Sequence, residues 1–172
     1  MYESALRLAR DAAEQYIKHG VLIDVPDRLP AVLMQQRACY VTLFEKPGRH
    51  IRAVFGRPTP SRPTLAHEVV FNTAQAIYLS SSARIRKADI PYLAFSVGIV
   101  GPLERILAPE HLDPAKFGLY VLSDRGKSTV ILPERTGIDT GDEQISTAFR
   151  EADIIPSKEA VTMYRFSVEH YD

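Results

Sequence analysis

CYVTLFEKPGRHIRAVFG, Cys39 to Gly56, consists of two β-type runs separated by Lys46, Pro47 and Gly48. Valine, threonine, tyrosine, phenylalanine and isoleucine suit a pleated, half-covered surface, and Pro-Gly turns the chain between the runs. The stretch therefore reads as a hairpin. A hairpin joins its strands antiparallel and leaves no room for the crossover helix of a parallel sheet. In its second arm, Ile51, Ala53 and Phe55 fall on one face and Arg52 and Val54 on the other. Gly56 either lets another backbone or a ligand approach closely or begins the next turn.

The flanking segments alternate with this pattern. Upstream, Ser4 reads as a cap for a helix that carries Leu6, Ala9, Ala13, Tyr16 and Ile17 on one side and stops at Gly20. Downstream, a loop stiffened by Pro58, Pro60 and Pro63 holds Arg57 and Arg62, which read as solvated charges. Thr64 then caps a helix to Ser80, with Leu65, Val69 and Ala76 on one side and Ala66, Val70 and Ile77 beside them. YLAFSVGIV, Tyr92 to Val100, alternates as a strand. GLYVLSDRGKSTVIL is a second hairpin, turning at Ser123 to Gly126. Thr140 with Glu143 forms a capping-box pattern ahead of Ile145, Ala148, Phe149 and Ala152. A last strand carries Tyr164, Phe166 and Val168 on one face.

Hairpins in place of regular βαβ units predict an α+β fold, mainly antiparallel sheets with flanking helices, and not a doubly wound nucleotide fold. The chain reads as a single domain over residues 1–172. If it has two subdomains, the proline clusters at 26–30 and 102–114 are the seams.

The 21 basic and 21 acidic side chains cancel, which removes the broad electrostatic drive behind most binding to nucleic acids and anionic membranes. With Cys39 as its single cysteine, the chain can form no internal disulfide or cysteine-rich zinc site, and this fits a reducing compartment. The charged N-terminal helix lacks the core of a signal peptide, and no run suits a membrane span, so the expected location is the cytoplasm.

Each candidate for chemistry has a plain structural counterpart. Gly126, Lys127 and Ser128 end like a phosphate-binding loop but join strand to strand, so the hairpin turn is preferred. His67-Glu68 opens like H-E-x-x-H, yet Phe71 stands where the second histidine belongs, and no two histidines have ligand spacing. Ser80, Ser81 and Ser82 offer hydroxyls that more often finish a helix. Asn72, within VVFNTAQAIY, must face water or make one specific hydrogen bond, and the residues favour water. Arg52 is either solvated or a fixed donor to an anion. The residues call for no cofactor and no metal.

Taken together, ALRLARDAAEQYI, the V-T-L hairpin running into IRAVFG, NTAQAIY, SVGIV, ILPERTG and GDEQISTAFREADI resemble the AMMECR family domain, protein A of AmmeMemoRadiSam-type systems. The family hallmark L-R-G-C-I-G falls on Ile51 to Gly56, keeping Arg52 and Gly56 and placing Val54 at the cysteine position. The family's proline-rich stretch after the second helix is replaced near Ser80 to Ile85 by SSSARI. The resemblance implies two α+β subdomains around a cleft, with the hallmark strand near it. It implies ligand-binding candidates at Arg52, Gly56, Asn72, Pro133 and Glu134, and Memo-type and radical-SAM proteins as pathway partners. Two classes of function stay open. One is a binding or accessory module for a small anionic ligand or protein partner. The other is an enzyme using Arg52 and a nearby carboxylate such as Glu134.

Overall fold

The central hairpin forms as its residues require, with β1 (Cys39–Glu45) antiparallel to β2 (His50–Gly56). In this computed structural model, which describes residues 3–80 and 84–172, the remaining elements are placed around it. They are α1 (Glu3–His19), α2 (Leu65–Tyr78), β3 (Leu93–Val100), β4 (Glu104–Ile106), β5 (Gly118–Ser123), β6 (Ser128–Ile131), α3 (Gly141–Glu151), β7 (Val161–Phe166) and β8 (Val168–Tyr171). Short 3-10 turns lie at Ala31–Met34, Lys87–Tyr92 and Pro109–His111. The fold is α+β, as the hairpins predict.

The chain divides into two units at Val100/Gly101 and again at Val168/Glu169. The first holds a four-stranded sheet in the order β2-β1-β3-β8, with β1 antiparallel to both β2 and β3. Its core packs α1 and α2 on Val41, Leu43, Val97 and Ile99 through Ala5, Leu8, Ala9, Leu65 and Val69. The alanine stripe of α1 lets that helix sit close, while Leu6, Tyr16 and Ile17 pack only partly. Ser4 lies inside this helix and does not cap it. Thr64 does cap α2, its Oγ1 accepting from the His67 amide at 3.4 Å. The proline segment 26–30 lies within the first unit. Of the serine run, Ser81 and Ser82 lie outside the described residues, and Ser80 Oγ donates to the Ile77 carbonyl at 2.7 Å.

The second unit holds an antiparallel sheet in the order β4-β7-β5-β6, with α3 packed on Leu119, Val121 and Ile131 through Ala148. Thr140 and Glu143 form the predicted reciprocal cap. The Gly126-Lys127-Ser128 turn closes the β5/β6 hairpin, and Gly126 supplies its φ of +79°.

Two further local expectations are corrected. The single terminal strand is two: β7 pairs with β4 and β5 in the second unit, and past Ser167 the chain enters β8 at the edge of the first sheet. β2 also does not alternate throughout. Leu43 pairs with Ala53 but Phe44 pairs with Ile51, so Arg52 is an extra, unpaired residue. This bulge reverses the parity of the strand. Ile51 moves to the face of Val54 and stands 64% exposed, while Ala53 stays in the core.

Candidate functional site

The bulge places the Arg52 side chain, 15% exposed, between two acids. Its guanidinium is 3.0 Å from Glu45 on β1 and 3.7 Å from Asp89 in the 3-10 turn ahead of β3. Asp89 also accepts from the Arg86 amide, which fixes the turn. Arg52 therefore ties β2 to β1 and to the turn before β3, and its positive charge is compensated by two carboxylates.

Gly56 and Asn72 meet at one carbonyl. Gly56 pairs with Tyr40, and a Cβ added there would lie 2.5 Å from the Cys39 oxygen and 2.6 Å from the Tyr40 Cα. Only hydrogen fits in that gap. From the helix side, Asn72 Nδ2 donates to the same Cys39 oxygen at 2.9 Å, and it lies 3.5 Å from Cys39 Sγ and from Glu68 Oε2. Asn72 is buried, contrary to the solvent-facing expectation, because the β1 carbonyl supplies the partner an interior amide needs.

Glu68, 1% exposed, was missed as a site residue in the sequence. Its Oε1 accepts from the amides of Ser61 and Arg62, the latter at 2.7 Å, so a buried carboxylate anchors the proline loop. The available signal was its spacing: an acid four residues before Asn72 places two polar groups together on an apolar helix. Burial, with a smaller contribution from the Glu68 charge, pushes the Cys39 thiol up to about 12 despite the Asn72 bond. Near neutral pH it is a protonated core group and not a nucleophile.

Pro133 and Glu134 lie in the second unit, directly after β6. Glu134 has φ +59° and its amide donates to the Pro114 carbonyl at 2.8 Å. The carboxylates brought to Arg52 are Glu45 and Asp89. Elsewhere in the second unit, Ser123 Oγ donates to the buried carboxylate of Glu159, which also holds Lys127 Nζ at 3.2 Å. The Lys127 of the apparent phosphate motif is thus an ion-pair partner. Among the described residues no group of His, Cys, Asp and Glu is placed to hold a metal, and no helix is long and apolar enough to cross a membrane.

The AMMECR1 family model matches residues 6–171. The chain belongs to the AMMECR1 family. An AMMECR1 relative in Thermotoga maritima is 31% identical over 160 residues, covering 92% of this chain and 91% of its own. Protein CA_C1420 of Clostridium acetobutylicum is 29% identical over 96% of this chain, which spans only 35% of that longer protein. Uncharacterized protein PH0010 from Pyrococcus horikoshii has a crystal structure that superposes with a TM-score of 0.84 at 25% identity, covering 98% of this chain and 89% of that one. On this AMMECR1 scaffold Gly56 permits close strand approach and Arg52 holds the bulge.

Proposed function

We propose that the chain is a non-catalytic binding or accessory module, and that it takes a partner protein as an extended segment along β2. The observation that carries this reading is the exposure of Ile51, at 64%, and Val54, at 45%, on one face of the terminal strand of a sheet. An edge strand offers unpaired backbone groups to another chain, and apolar side chains beside that edge give an added segment something to pack on. The groups that chemistry would call on are engaged in the scaffold. Asn72 and Glu68 hold β1 and the proline loop, Cys39 is held protonated, and Arg52 is paired twice. That arrangement favours a partner surface over capture of a small anion by Arg52. Memo-type and radical-SAM proteins, which the family resemblance associates with such domains, are the partners to test.

The experiment mixes the chain with the Memo-type and radical-SAM proteins of its own genome and measures binding by calorimetry, for wild type and for Ile51→Lys/Val54→Lys. Both substituted side chains are exposed, so the fold is retained. We expect binding that the double variant weakens at least about tenfold. Equal binding by the two forms, or none by wild type, sinks the proposal.

A further inference from the structure

Arg62 occupies a different position from the arginines of the β1/β2 hairpin. Arg49 and Arg52 are already paired with carboxylates. The Arg62 guanidinium instead lies over the ring of Phe71, 3.8 Å from its centroid. It is held there from two sides: its main-chain amide donates to buried Glu68, and the aromatic face holds its cationic head. The sequence reading of Arg62 as a solvated loop charge misses this support. A guanidinium held over a ring keeps its in-plane N–H groups for another acceptor.

His67 is one helical turn before Phe71 on α2, and its Nδ1 is 2.7 Å from Thr64 Oγ1. The same Oγ1 accepts from the His67 amide, and where its own hydrogen goes to Nδ1 the neutral ring carries its hydrogen on Nε2. In the imidazolium, Nε2 also bears a hydrogen. Both of these forms present Nε2 as a donor. Arg62 and His67, with Val25, Val70, Phe71 and Asp24, line a hollow of about 180 Å3 in the first unit.

We propose that this hollow is a binding site for a small monocarboxylate with a short branched apolar body. The Arg62 fork receives the two carboxylate oxygens, His67 Nε2 adds a third donor, and the body lies on Val25, Val70 and Phe71. Asp24 limits the ligand to one negative charge, since a second carboxylate would meet it as a like charge. The volume suits a ligand of a few carbons, not a nucleotide. This site does not depend on the β2 partner surface, and neither substituted residue of that test lines it.

The probes are isocaproate, its neutral isostere 4-methylpentanamide, and the dicarboxylate adipate, titrated into isotopically labelled protein while the Val25, Val70, Phe71 and His67 resonances are followed. We expect isocaproate to bind with a dissociation constant on the order of 1 mM, moving these signals together, and the amide and adipate to bind at least about tenfold more weakly. Arg62→Gln should abolish the difference between isocaproate and the amide. Its thermal melt should stay near wild type, because the side chain is exposed and the Glu68 bond uses the backbone. Arg62→Lys should recover only part of the preference, because an ammonium lacks the fork. Equal binding of acid and amide, shifts elsewhere in the molecule, or an unchanged preference in Arg62→Gln overturns the assignment.

Discussion

Gly56 sits where packing excludes a side chain. Beside the Tyr40 ring, its neighbours across the strand pair are two backbone atoms, the Cys39 oxygen and the Tyr40 Cα, which cannot rotate away as the end of a side chain could. Gly56→Ala must therefore push β2 off β1 next to the carbonyl that Asn72 holds. We expect a loss of about 1–3 kcal/mol, the usual cost of forcing extra volume into a packed site, read as a lower urea midpoint. A midpoint equal to wild type would show that the strands part without cost and that the close approach is incidental. Arg52 is the contrasting case. From the residues, an arginine on a half-covered strand is either solvated or a fixed donor, and its two acids come from β1 and from a turn far along the chain. Local spacing carries no information about which charges such a side chain will meet.

At the scale of elements, the parts readable from sequence are those whose causes are local. Thr140 and Glu143 satisfy each other's amides within one turn, Thr64 caps α2, and Gly126 provides the positive φ of the β5/β6 turn. The bulge, the short β4 and the break at Ser167 depend instead on which strand lies alongside. A strand's face assignment flips with one inserted residue, and β4 is too short to show a period before its partner β7 is known. The proline loop between β2 and α2 depends in the same way on a distant cause, because buried Glu68 accepts its Ser61 and Arg62 amides. Glu68→Ala should leave those donors and Asn72 short of a partner. It should cost about 1–3 kcal/mol, and amide exchange at Ser61 and Arg62 should accelerate while α3 is unchanged. Uniform acceleration across both units, or none at the loop, would show that Glu68 is not the anchor.

Across the whole molecule, acid acts unevenly. The carboxyls held below their ordinary range include Glu143, Glu151 and Glu159 in the second unit and Asp172 in the first. Glu143 is lowered chiefly by the amides of Asp139 and Thr140, and Glu151 by Arg135, but both are open to water, where such contacts contribute little. Glu159 differs because its carboxylate is buried and is lowered first by the hydroxyl of Ser123, then by the Ile155 amide and Lys127. A carboxyl depressed in the folded state contributes stability above its unfolded value of about 4.3, and that contribution is lost as pH falls through the lower folded value. The second unit should therefore weaken as pH falls below about 5, from just above the unfolded value down through the lower folded one. Glu159→Gln should be less stable than wild type at pH 7, where it leaves Lys127 facing a neutral amide, and should lose less on acidification. Urea denaturation at several pH values, followed through the Tyr120 and Tyr164 resonances of β5 and β7, measures both slopes. Parallel slopes for wild type and variant would place the acid sensitivity of this unit in its exposed carboxylates and remove Glu159 as its source.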